Sequence, residues 1–435
     1  MNFFGRLMCA ALAVAVVTGT AFAGGGREKV DDGTVKLEIF HYLDLADNTE
    51  AENFQAVVRA FQEKHPEIKL EFDYLFDEAY HNRLQAMAVA QQLPDVLFLW
   101  PDKRTGHVTG SGLIKDLRPW IEPVRDQFAP AALAPQGPNG EIWELPEQIT
   151  TTHVMYTNDR LLKELGLTFP ETLEELIAQG EVIRAAGYIP IAMDNGGGWQ
   201  MQSTLLSTLV ERTGGREWIE RAAAGRGAAF TDPQFVRALE VIQILFQEEM
   251  FSPGLNQAEY GQAMTAFAND RAVYFIDGGW RTRNLATELT PEQQKTTSYN
   301  VFPRLPDEQG QPGATSIVPG TGHGMNANLT GEKAEAAWTW IYFFAGPEGS
   351  RIKAEQGWVP AVVGILDDSA PLMTRKLADF LAATPGGYVI DSIMDAEGMA
   401  VLQPALQEMM FGAISPQEVA RRYENWVAAN DSSRR

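Results

Sequence analysis

Aromatic and planar polar side chains recur in this sequence just where short apolar segments end. His41, Tyr42 and Asp44 stand at the end of Val35 to His41, and Trp100, Asp102 and Lys103 close Val96 to Trp100. Glu147 follows the Leu145-Pro146 turn; Asp194, Asn195 and Trp199 follow Ile189 to Met193. Asp277 and Trp280 follow Ala272 to Ile276, His323 sits beside Gly322 in a glycine-rich stretch, and Trp358 lies in Gly357-Trp358-Val359-Pro360. An aromatic face stacks on the C–H face of a pyranose, and planar polar groups take its hydroxyls in bidentate hydrogen bonds. The combination suits a sugar. Gly278 and Gly279 before Trp280 let the backbone come close to a ligand. Trp143, Trp338 and Trp426 read as packing residues.

Each of these residue types also has a plain structural use. An aromatic near a strand end often plugs a core, most carboxylates only solvate a surface, and a loop histidine is commonly a satisfied polar group. Gly196-Gly197-Gly198 could cradle a phosphate, but no P-loop lysine follows. A glycoside-processing enzyme is the alternative from another class. It needs two carboxylates about 5–10 Å apart, and with 57 acidic residues a pair can always be drawn. No nucleophile elbow or zinc motif accompanies such a pair, and the six histidines lack ligand spacing. A polyamine, a peptide or a metal chelate are further ligand classes for a binding role. No cofactor and no metal site is expected.

The elements that carry these residues alternate. Val35 to His41 reads as a strand, and Thr49 with Glu52 has capping-box spacing ahead of Phe54, Val57, Val58 and Phe61. Leu70, Phe72 and Tyr74 mark a second strand, Tyr80, Leu84 and Met87 a helix, and Val96 to Trp100 a strand buried on both faces. This strand–helix order is the start of a parallel α/β sheet. It resumes with His153 to Tyr156, a helix capped by Thr172 and Glu175, Ile189 to Met193, a helix opened by Asp232-Pro233, and Ala272 to Ile276. A late helix carries Ala334, Ala337, Trp338 and Ile341, and Ser415 to Glu418 caps the last one. The pattern reads as two α/β units.

Met1 to Arg6, the apolar run Leu7 to Val17 and Ala21-Phe22-Ala23 have the layout of a secretory signal peptide, with cleavage expected after Ala23. The run is shorter than the ~20 residues of a membrane span. The single cysteine, Cys9, lies inside it, so the exported chain would carry no thiol and no lipid anchor at the cleavage point. Even without this leader the chain is longer than one core normally supports. Its net charge of −22 disfavours nucleic acid and anionic membranes as partners.

Seven segments, in order, carry a resemblance to a known family. They are Ala60 to Leu70, Leu93-Pro94-Asp95-Val96, Gly112 to Leu117, Asn139 to Pro146, Met155-Tyr156-Thr157-Asn158-Asp159, Pro170 to Leu176, and Ala266 to Val273 with Gly279-Trp280 after it. The chain resembles the extracellular solute-binding proteins of family 1, which include the maltose-binding protein. Thr157, Leu173 and Asn269-Asp270 depart from the family pattern at turns and caps. The resemblance implies a two-lobed α/β periplasmic-binding-protein type II fold, with hinge-connected lobes and a ligand cleft between them. It implies a first lobe of 24–153 and 298–345 and a second of 154–297 and 346–435. It further implies a periplasmic or extracellular monomer that binds a sugar and passes it to the membrane permease of an ABC importer. Trp280 matches the family's ligand-stacking tryptophan. Closure about Thr151 to Tyr156 would bring Trp280 against polar groups such as Asp102.

Overall fold

The computed structural model describes residues 33–100, 105–137, 139–387, 389–394 and 396–430. The expected signal peptide with Cys9 and Ala23 lies outside the described residues, as do Asp102 and Lys103. The strands run in chain order as β1 Val35–Tyr42, β2 Ile68–Leu75, β3 Val96–Leu99, β4 Leu145–Pro146, β5 Ile149–Thr151, β6 Val154–Asn158, β7 Ile189–Ala192, β8 Ala272–Asp277, β9 Thr297–Asn300, β10 Ile317–Pro319 and β11 Gly322–Met325. They form two main sheets, ordered β2-β1-β3-β11-β4 and β7-β8-β6-β9, and a ribbon of β10 with β5. Two lobes follow, as the strand–helix alternation implies.

In the first lobe, β1 pairs in parallel with β2 and β3, and β11 returns antiparallel to β3. All four residues of β3 are buried, so an unbroken apolar run is what this position needs. The helices Asn48–Lys64 and Gly331–Ala345 bring Val57, Phe61, Trp340 and Ile341 into the same core as Leu37, Ile39 and Leu97. The Asn48–Lys64 helix is capped by Asp47, whose carboxylate accepts from the Glu50 N–H at 3.0 Å. The capping box expected at Thr49 is therefore displaced by a carboxylate two positions earlier.

In the second lobe, β7 runs parallel to β8, and β6 lies antiparallel between β8 and β9. One face of the sheet packs Met155, Ile191, Tyr274 and Ile276 against Leu239 and Ile242 of the Pro233–Gln247 helix. The other face packs Tyr156 and Phe275 against Phe267 and Leu377. Thr172 caps the Leu173–Ala185 helix through the Glu175 N–H at 3.2 Å, as its spacing predicts.

The chain passes between the lobes where β5 pairs with β10. Thr151 Oγ1 lies 3.3 Å from Thr315 Oγ1 there, and the Thr315 hydroxyl donates to the His153 carbonyl at 2.8 Å. β9 stays with the second sheet, and Phe302 and Leu305 stay with its core. Ala361 and Val362 pack in the first core instead. On this packing we propose that the chain re-enters the first lobe near Thr315 and leaves it after Val362, rather than at 298 and 345. Among the described residues no helix is long and apolar enough to cross a membrane, and no group of three or more His, Cys, Asp or Glu could hold a metal ion.

Candidate ligand-binding site

A cavity of about 840 Å³ opens between the lobes, walled by strand ends of both sheets. The second lobe contributes an aromatic platform. Trp280 Nε1 donates to the Tyr260 hydroxyl at 2.7 Å. The Trp199 ring lies 5.3 Å from Tyr260 and 6.1 Å from Trp280, inclined by 56° and 49°. Gly278 is required beneath this platform, because a Cβ there would come within 2.3 Å of the Trp280 ring. Arg281 lies 3.6 Å above the Tyr260 ring and pairs with Asp277 at 3.0 Å, both side chains buried. Burial pushes the Asp277 carboxyl up against the pull of Arg281. Burial also works against the Arg281 charge, but Tyr260 and Asp277 outweigh it and hold its pKa above the ordinary value.

The first lobe supplies a second aromatic group. Tyr42 meets Trp100 edge to face at 4.8 Å and lies 5.0 Å from Phe76. Next to Phe76, Asp77 has φ 55° and ψ −150°, a backbone region that a side chain normally avoids. That strain stands on the cavity wall, ahead of the Glu78–Val89 helix.

A buried ion pair forms the third wall. Lys353 Nζ lies 2.6 Å from Glu147 Oε2 and donates to the Phe344 carbonyl at 2.7 Å. Burial pulls the lysine down to about 8, although Glu147 opposes the shift. The pair fixes a carboxylate at the cavity edge with one geometry, which a flexible surface glutamate would not have.

Polar side-chain contacts cross from lobe to lobe. Asn284 Nδ2 donates to Asp47 Oδ2 at 2.8 Å, and Arg283 Nη2 stands 3.7 Å from Glu50 Oε1. Asp47 and Glu50 open the Asn48–Lys64 helix, while Arg283 and Asn284 lie in the Arg281–Glu288 helix just after β8. Burial raises the Glu50 pKa, and the Arg283 charge works against that rise. The lobes are thus tied directly to one another at the mouth of the cavity.

The structure brings Tyr42, Asp44, Trp100, Glu147, Trp199, Trp280 and Trp358 to the cavity wall. His41 reaches it too, but its ring is stacked 4.1 Å from Phe54 and its Nδ1 lies 3.1 Å from His323 Nε2. Burial, followed by the nearby Lys353, holds His41 well below the usual histidine range. Three of the expected residues do not line the cavity. His323 is fully buried in β11 and does not line the cavity. Asp194 accepts from the Gly261 and Ala263 N–H groups, each at 2.8 Å, and so anchors the Gln262–Ala268 helix. Asn195 bonds Asn256 at 2.7 Å and the Met201 N–H at 3.1 Å. Both residues follow β7 at its C-terminal end, and neither lines the cavity.

Sequence reading missed Tyr260, Arg281, Arg283, Lys353 and Gln356. Only the two arginines carried a signal, as the cations next after Trp280. Trp143 and Trp338 pack on the first core and Trp426 on the second.

The site sits in a chain with known relatives. It is 22% identical over 286 residues to the multiple sugar-binding protein of Streptococcus mutans, covering 62% of this chain and 64% of that one. The match to an uncharacterised ABC transporter extracellular-binding protein of Pyrococcus horikoshii is 21% identical and covers 63% of each. The chain thus spans slightly less than two thirds of these two relatives. It is 19% identical over 409 residues to the melibiose/raffinose/stachyose-binding protein of Bacillus subtilis, covering 92% of this chain and 91% of that one. Among solved structures, a chitin oligosaccharide binding protein superposes with a TM-score of 0.80 at 20% identity, over 92% of this chain and 99% of that one. A maltose-bound protein of T. maritima superposes at 0.70 with 19% identity, over 91% of this chain and all of that one. Residues 46–351 match the bacterial extracellular solute-binding proteins as a family, and the chain belongs to that family.

Proposed function

We propose that this protein binds a mono- or oligosaccharide between its lobes, outside the cytoplasmic membrane, and delivers it as a monomer to the permease of an ABC importer. One observation carries the reading. The Trp199–Tyr260–Trp280 platform faces a cavity whose other walls hold fixed carboxylates and guanidinium groups. Apolar faces and bidentate polar groups together are what a pyranose needs. Relatives named for sugar binding support it.

Arg281, Arg283 and Lys353 share the cavity wall with seven carboxylates, Asp44, Asp47, Glu50, Asp77, Glu147, Glu259 and Glu288, so a polyamine is the second reading that the experiment must separate. The ligand leaves unchanged, since the role is capture and release. A thermal-shift screen with raffinose, maltotriose, xylotriose, chitotriose, galactose and spermidine tests this. A ligand that binds only the folded state stabilises it by about 2.7 kcal/mol at a hundredfold excess over its Kd. Stabilisation by spermidine and by no saccharide would overturn the reading.

A further inference from the structure

Three buried polar atoms on one stretch of the cavity wall have no hydrogen-bond partner among the described residues. They are Arg283 Nη1, Trp358 Nε1 and Gln356 Oε1. All three side chains line the cavity. Arg283 stacks 3.8 Å over the Trp358 ring, and its side chain is nine-tenths buried. Gly357, between Gln356 and Trp358, has φ +98°, and a Cβ there would lie 3.3 Å from Arg283 Cα and Cγ. The turn therefore leaves room for the backbone and stem of Arg283, whose guanidinium stands over the Trp358 ring. Buried donors and acceptors are normally satisfied, and leaving them so is costly.

We propose that Arg283, Gln356 and Trp358 form a specificity corner that reads a neutral hydroxyl-bearing end of the ligand. The argument is one of hydrogen-bond valence. Two orphan donors need acceptors, and one orphan acceptor needs a donor. A sugar hydroxyl offers one donor and two acceptor sites. A carboxylate is acceptor-only, and Gln356 would meet it only by turning its amide to present Nε2. An ammonium is donor-only and would leave Arg283 and Trp358 unmet. The corner thus takes a hydroxyl without rearrangement and disfavours an amine. Arg283 also stands opposite Glu50 across the cleft, so the corner is complete only when the lobes are together.

This inference rests on the sugar reading, and the experiment separates the two. Calorimetry measures the tightest binder among raffinose, maltotriose, xylotriose and chitotriose against wild type, Gln356→Leu, Trp358→Phe and Trp280→Ala. Trp358→Phe keeps an aromatic ring but loses the pyrrole part of the indole with its N–H, whereas Gln356→Leu keeps side-chain bulk and removes the polar atoms. The corner predicts that Gln356→Leu and Trp358→Phe each weaken binding roughly 10- to 100-fold, with the ligand-free melting temperature unchanged. If one variant fails to fold, the other decides. If Trp280→Ala loses affinity while both corner variants bind within about twofold of wild type, the corner is wrong and the sugar site stands. If wild type binds none of the four saccharides, the sugar reading falls and the corner with it.

Discussion

Trp280→Ala isolates the aromatic platform. The ring is half-buried over Gly278, and its Nε1 donates to the Tyr260 hydroxyl. Losing a stacked face costs about 0.5–1.5 kcal/mol beyond burial. The sugar face it covers, about 40 Å² at about 25 cal/mol per Å², adds about 1 kcal/mol. The sum of about 1.5–2.5 kcal/mol weakens binding about 10- to 70-fold. The ring is not a core plug, so the ligand-free protein should lose no more than about 1 kcal/mol, or about 2–4 °C in melting temperature. Calorimetry for affinity and scanning calorimetry for stability, on the same samples, give both numbers. Affinity within twofold of wild type, together with a large fall in melting temperature, would refute the reasoning. Trp280 would then be core, and the stacking role would move to Trp199 and Trp100.

Two further outcomes follow from buried charge. Lys353→Met leaves Glu147 buried without its cation and should cost about 3–5 kcal/mol in denaturant unfolding, while the Glu147→Gln/Lys353→Met double variant should recover most of it; a single variant as stable as wild type contradicts the pairing. His153 lies fully buried where the chain passes between lobes, and burial, with Arg212 adding to it, holds its pKa down to about 3. Below its unfolded pKa of about 6.5 the unfolded chain binds a proton that the fold refuses, so stability falls with acidification from about 6.5 towards 3 by about 1.4 kcal/mol per pH unit. His153→Gln should lack that contribution, and an acid slope identical to wild type would show that the ring is not the source.

Much of the scaffold is legible in the sequence because local chemistry determines it. Val96–Leu99 reads as a doubly buried strand and is one, and Thr172 reads as a cap and is one. Trp280 is legible through the glycines before it and through family resemblance. Other features depend on contacts the chain makes only when folded. Asp194 and Trp199 look alike as polar and aromatic strand-end residues, yet one anchors a helix and the other faces the cavity. Lys353 and Glu147 are 206 residues apart and have no common motif. Tyr260 sits in a loop with no periodicity to mark it. The π-helical Met201–Leu206, which runs into the Ser207–Ala223 helix, follows no hydrophobic period either, because every one of its residues is buried.

The central claim is that a sugar is held, unaltered, in the cleft between the lobes. Isothermal titration of the wild-type protein with raffinose, maltotriose, xylotriose and chitotriose tests it most directly, with chromatography of the sugar recovered afterwards. The account predicts one site per chain for at least one saccharide, a Kd of about 0.1–10 μM, and recovery of the same saccharide. No binding heat with any of the four, or steady conversion of the sugar to shorter products, would contradict it.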